Sequence, residues 1–247
     1  MSTTVELEYE VVDAAARATM YSFLATGLAL PTSDRLRLLG TKLLPGLEML
    51  ELPVSLDVAI KTLGSNLPAD LQTARDDHMA LFPPITSQDA PAYETAYRGD
   101  GIFQQVALLA DIAGFYRAHG LRAGGSERER PDHITVELEF MAVLARKEVR
   151  SLQSGWIEST DICRDTEALF LQDHLGCWAP AFGRRAAAVT DSPWYQSLSE
   201  LTAEWIEQDT TAAGVTPVEI VEEPLPQEPP DDGACGPCPM PEPGSVR

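Results

Sequence analysis

The residues best suited to chemistry cluster in Pro131–Arg150, PDHITVELEFMAVLARKEVR. Asp132, His133 and Glu137 bring two carboxylates and an imidazole to what reads as the start of a helix. Pro131 fixes the backbone just ahead of Asp132, whose carboxylate is suited to accept from the free N–H groups of a first helical turn. Ile134, Leu138, Met141, Ala145 and Val149 then recur at spacings of three and four, which puts them on one buried face. Polar groups that close to a core need partners. His133 with Glu137, and His174 with Cys177, also have the i,i+4 and i,i+3 spacings that set two metal ligands on one helical face. No third and fourth ligand follows in an evident pattern. Cys235-Gly-Pro-Cys238 copies the spacing of a thioredoxin active site, and this pair is the remaining weak metal candidate. That redox chemistry requires a helix N-terminus on a βαβ scaffold to lower the thiol pKa, and neither is in evidence. No glycine-rich phosphate loop occurs.

Around these groups lie 247 residues, 44% of them hydrophobic, enough for one full core. Lys and Arg total 18 against 38 Asp and Glu, a net charge of −20. Phosphate backbones and anionic membranes repel such a chain, whereas a basic segment of another protein is drawn to it. Nucleic acid is therefore excluded as an expected partner. The N-terminus MSTTVELEYE has neither the basic start nor the apolar run of a secretory signal, and no stretch reaches the length of a membrane span. Isolated Cys163 and Cys177 and the close pair Cys235 and Cys238 are too few for a disulfide scaffold. A reducing cytoplasm is the expected location.

The elements that must position the central stretch read as helices. They span Glu8–Leu30, Ser33–Leu44, Ser55–Leu63, a helix opened by Pro68 and stopped at Pro83, and Gly101–His119. After the central helix come Thr160–Leu175 and Cys177–Val189, meeting near Gly176, and then Pro193–Thr211. In Gly101–His119 the side chains of Phe103, Val106, Ala107, Ala110 and Gly114 share one side. In the last helix Trp194, Leu198, Leu201 and Trp205 have core spacing. The segment Pro83–Asp100 reads as a long loop with Tyr93 and Tyr97 around Glu94, a length often tied to function. Leu121–Arg130 is a charged linker. No run alternates as a strand does. The expectation is an all-α, single globular helical bundle of roughly eight to ten helices over residues 1–213. Residues 214–247 carry nine of the 19 prolines and seven acidic residues against one arginine. They read as a disordered acidic tail.

With these residues in view, PDHITVELEFMAVLARKE, the upstream HMALFPP and APAYETAYRGDG, FYRAHGL and the later FLQDHLGCWAPAF resemble the TorD/DmsD/NarJ family of redox-enzyme maturation chaperones. The resemblance runs over roughly residues 9–208, in the same order of segments. It implies a non-enzymatic, all-helical cytoplasmic chaperone, without a cofactor of its own. Its partner would be the catalytic subunit of a DMSO-reductase-type molybdenum oxidoreductase, bound in some relatives through a twin-arginine leader until the cofactor is inserted. It implies a site at Asp132 and His133 and in the loop around Tyr93 and Glu94, on a chain that is a monomer or a helix-swapped dimer. Planar carboxylates hold guanidinium groups best, so Asp132, Glu137 and Glu94 are expected around one groove, with Tyr93, Tyr97 and Phe82 packing the apolar part of a leader. Two plainer readings stand beside this: Asp132 caps its helix and His133 is a core histidine, or Tyr93 and Tyr97 merely pin the loop. The competing functional reading is a metal- or thiol-dependent helical enzyme using His133, His174 and the cysteines.

Overall fold

A computed structural model describes residues 2–83, 89–98, 101–123 and 129–218. The elements are α1 (Ser2–Leu28), α2 (Ser33–Leu38), α3 (Leu44–Glu48), α4 (Val54–Asn66), α5 (Leu71–Leu81), α6 (Thr95–Arg98), α7 (Ile102–Ala118), α8 (Ile134–Ser154), α9 (Ile157–Phe170), α10 (Gly176–Val189) and α11 (Pro193–Ala212). Two π-turns, Leu39–Leu43 and Leu171–Leu175, join α2 to α3 and α9 to α10 without a loop. Read through these turns, the described residues form nine helices and no strand. One isolated antiparallel bridge pairs Tyr93 with His133. The all-α bundle expected from the sequence is the observed fold.

Several boundaries move, each for a local reason. Pro45 does not stop its helix. It falls just after the π-turn, at the second position of α3, and the helix runs on through it. Asp70, not Pro68, starts α5, its carboxylate accepting from Thr73 N at 2.9 Å. Part of the expected loop folds as α6. Gly176 closes the second π-turn by donating its N–H to Leu171 O, and a side chain there would collide with that carbonyl. The two helices expected to meet near Gly176 are thus one continuous rod.

The core lies where α1 packs along α8 and α10 along α11. Tyr21, Phe23 and Leu24 of α1 meet Leu138, Met141 and Leu144 of α8, all fully buried. Trp178 and Phe182 of α10 and Leu198 and Leu201 of α11 complete it. A Cβ on Gly183 would stand 2.6 Å from Ser199 O, so this glycine lets α10 and α11 approach closely. α8 ends at Gly155, whose φ of 69° is the left-handed conformation that glycine adopts freely.

The first residues after Gly214 lie against the bundle. Val215 packs on the core, Pro217 Cγ would be 3.0 Å from a Cβ on Gly176, and the Val218 backbone hydrogen-bonds the Cys177 sulfur. The remainder of the expected disordered tail, with Cys235 and Cys238, lies outside the described residues. Among the described residues no helix is long and apolar enough to cross a membrane.

Candidate binding site at the start of the central helix

Three segments converge on the start of α8. Glu94 N–H donates to Asp132 O at 3.0 Å and Ile134 N–H to Ala92 O at 2.9 Å, which lays residues 92–94 alongside the helix entrance. From α7, the Tyr116 hydroxyl donates to Pro131 O at 2.7 Å. Backbone polar groups of an otherwise irregular stretch are satisfied in this way.

Asp132 does not cap α8. The cap is His133, whose Nδ1 accepts from Thr135 N at 3.3 Å and lies 2.7 Å from Thr135 Oγ1. With Nδ1 accepting, the neutral ring carries its proton on Nε2; burial holds its pKa down to about 4 against the opposing pull of Asp132. Asp132 instead turns inward and is fully buried. Its carboxylate accepts from Thr95 Oγ1 at 2.7 Å and Thr95 N at 3.3 Å. Arg130 grips it from outside, Nε to Oδ1 at 3.0 Å and Nη2 to Oδ2 at 2.8 Å. The Arg130 side chain is 48% exposed, and its guanidinium lies 4.7 Å from the centre of the half-buried Tyr93 ring, which packs edge-on against His133 at 5.1 Å. The outward surface of the site is therefore Tyr93, Arg130 and His133, with a bidentate guanidinium–carboxylate pair beneath.

A second polar layer lies deeper. Glu94 is fully buried, bonded by Arg98 Nη1 and 3.2 Å from His174 Nδ1. Arg98 also donates to Asp173 O, and His174 Nε2 stands 3.3 Å from the exposed Asp111 carboxylate. Glu137, also fully buried, accepts from Trp178 Nε1 at 3.0 Å. Burial, then the Glu94 carboxylate, pushes Glu137 well above the usual carboxylate range.

The structure thus brings Asp132, Glu137, Glu94, His133 and Tyr93 together. The three carboxylates lie behind the surface and already hold internal donors. Tyr97 and Phe82 face the core rather than the outward surface: Tyr97 is 2% exposed against Trp178 at 5.4 Å, and Phe82 packs on His78 at 5.0 Å and on Phe182 at 6.2 Å. His174 is tied to Glu94, and the Cys177 sulfur donates to Gln172 O at 3.1 Å. Among the described residues no three of His, Cys, Asp and Glu are grouped so as to hold a metal ion.

Sequence reasoning missed Arg130, Thr95 and Arg98. The signal for Arg98 was present, four residues after Glu94, a favourable ion-pair spacing on a helix. It also missed a buried ionic centre in which Arg17 of α1 bonds Glu148 and Glu167, with Arg164 on Glu148 and the Tyr21 hydroxyl on Asp209. Four residues from both Leu144 and Leu152, Glu148 sits on the apolar face of α8, and that pattern marked it as an interior charge.

A family model described as the nitrate reductase delta subunit matches residues 50–184, a span that contains the whole site. The perchlorate reductase assembly chaperone protein of Dechloromonas aromatica is 26% identical over 201 residues, 78% of this chain and 87% of that protein. The selenate reductase assembly chaperone protein of Thauera selenatis is 35% identical over 97 residues, 38% of this chain and 49% of that protein. Chaperone protein TorD of Vibrio cholerae serotype O1 is 26% identical over 153 residues, 61% of this chain and 66% of that protein. Matched by the family model over more than half its length, including the Asp132–Arg130 pair and the layer behind it, the chain belongs to the nitrate reductase delta subunit family, that of NarJ and TorD.

Proposed function

We propose that the protein is a cytoplasmic assembly chaperone for the catalytic subunit of a DMSO-reductase-type molybdenum oxidoreductase. It holds that subunit through a basic segment, such as a twin-arginine leader, until the cofactor is in place. The names of the relatives support the chaperone reading. The observation that carries the site is Asp132: a fully buried carboxylate that already receives a planar guanidinium through two bonds, behind an arginine that is half exposed. Arg130 occupies the place of a client arginine and swings into solvent when the client enters, leaving Tyr93 and His133 to flank the incoming side chain. Glu94 and Glu137 stay interior and hold the floor of the site in position. Client binding of this kind weakens with salt, because mobile ions screen an acidic surface from a basic segment.

The test is co-purification from the native host followed by peptide titration. A reductase catalytic subunit should accompany the wild-type chain. Asp132→Asn should weaken binding of its leader peptide at least tenfold, the scale of a hydrogen bond to a charged group, whereas Arg130→Ala should bind at least as well as wild type. Equal affinity in Asp132→Asn would remove the site from this place, and no reductase subunit among the co-purified proteins would remove the function.

A further inference from the structure

Helix α7 exposes a run of apolar side chains. Phe103 is 90% exposed, Ile102 73% and Val106 61%, and Ala107 and Ala110 lie open beside them. Only Ile112 and Tyr116 of this 17-residue helix are buried. A contiguous apolar strip left in water marks an interaction site. From Ile102 to Ala110 the strip carries no charge, and it ends at Asp111, whose side chain is 67% exposed. Its far half is fastened to the candidate site by the Tyr116 hydroxyl on Pro131 O, and the Asp111 carboxylate stands 3.3 Å from His174 Nε2.

We infer that the Ile102–Ala110 face of α7 docks an apolar helical segment of the client catalytic subunit, one that carries a basic residue at the end meeting Asp111. The inference rests on the chaperone reading and adds a second contact outside the Asp132 site. Charge selects the occupant. Two copies of a chain with net charge −20 repel one another, whereas a basic flank is attracted to the same field and finds Asp111 at the end of the strip. Nine residues at about 1.5 Å each give a strip of roughly 13 Å, room for two turns of a partner helix anchored at i, i+3 or i+4, and i+7.

The experiment uses the full chain and a synthetic 18-residue leucine–alanine helix with two arginines at one end, read by fluorescence anisotropy. Phe103→Ser should lower affinity at least tenfold, with an unchanged melting temperature because the side chain touches nothing it stabilises. Asp111→Asn should lower it severalfold and flatten its salt dependence. Val58→Ser, an exposed apolar position on α4, should leave it unaltered. Equal affinity in Phe103→Ser, or no binding by wild type, would overturn the inference. So would a wild-type dimer in sedimentation that Phe103→Ser renders monomeric, which would assign the face to a second copy. Because the peptide assay needs no client, this inference and the chaperone reading, tested by co-purification, fail separately.

Discussion

Glu94 and Glu137 place two fully buried carboxyl groups side by side, and the Oε1 of Glu137 has no donor to accept from. Two ionised carboxylates in that position would repel with nothing between them. A proton on Glu137 resolves both problems, since Oε1 then donates to Glu94 while Oε2 keeps the Trp178 N–H. Arg98 pairs with Glu94 on its other side.

Glu137→Gln tests this sharing. The amide reproduces the donation to Glu94 and the acceptance from Trp178, so the variant should match wild type within about 1 kcal/mol at pH 7, whereas Glu137→Ala strands the Trp178 N–H, opens a cavity and should cost about 3 kcal/mol or more. The sign with pH follows from the raised pKa. Stability from a protonated Glu137 is full below the ordinary carboxylate range and is lost as pH rises, so Glu137→Gln should gain on wild type between pH 5.5 and 8.5 in urea midpoints. A variant that loses ground on that interval would show that Glu137 is ionised in the folded chain.

Asp132→Asn reports on stability as well as on binding. Were the residue a cap, Asn would serve equally well. Placed as it is, the change keeps an acceptor for Thr95 but removes the charge that holds Arg130. Because Arg130 is half exposed and returns to water, the cost should be about 1–2 kcal/mol rather than the larger penalty of an orphaned buried charge. An unchanged melting temperature would return Asp132 to the role of a simple helix start.

The difference between these readings shows what the sequence could carry. Periodicity located α8 and α11 because each buries one stripe, and the spacing of Trp194, Leu198, Leu201 and Trp205 alone identifies their shared face. The same periodicity put Phe103 and Val106 on one side of α7 but left open what covers them, since an apolar side of a helix does not say whether its cover belongs to this chain. At the site, residue types pointed to Asp132, His133 and Glu94, yet not to the direction each side chain takes. That depends on the bridge between Tyr93 and His133, a pairing of residues 40 positions apart that no local pattern encodes. Gly183 and Gly176 were equally hidden, because a glycine set by a neighbouring backbone resembles any other until the neighbour is placed.

Buried titratable groups should give the folded chain opposite slopes of stability on the two sides of mild acidity. Burial holds His78 and His133 down to about 4 from 6.5. A depressed histidine favours the neutral form, so its contribution is full above pH 6.5 and is lost as pH falls toward 4, at up to about 1.4 kcal/mol per unit for each group and less for the partly solvated His133. Burial pushes Glu167 up to about 8 from 4.5, Arg17 only partly offsetting it because that guanidinium also serves Glu148. Its contribution is full below pH 4.5 and is lost as pH rises toward 8. Urea midpoints should therefore peak where the two limbs overlap, between pH 4.5 and 6.5, with His78→Gln flattening the acid side and Glu167→Gln the alkaline side. An alkaline limb equally steep in Glu167→Gln would place the surplus carboxyl proton elsewhere, on Asp209 for example.

The folded body extends past the point where the composition changes. Composition sets the boundary at Gly214, and truncation after Ala213 would then leave the melting temperature unaltered. The contacts set it later. Val215 packs on the core, Pro217 lies over Gly176, where a bare glycine leaves room, and the Val218 backbone reaches the Cys177 sulfur beside the second π-turn. Removing these residues uncovers the start of α10, and burial of one aliphatic side chain is worth about 1.5–3 kcal/mol when complete. Since Val215 is only partly buried, a chain ending at Ala213 should lose about 1 kcal/mol, a fall of a few degrees, whereas one ending at Val218 should melt with the full-length protein. If both truncations melt alike, residues 214–218 rest on the bundle without stabilising it; if the longer truncation also falls, residues beyond Val218 contribute to the fold.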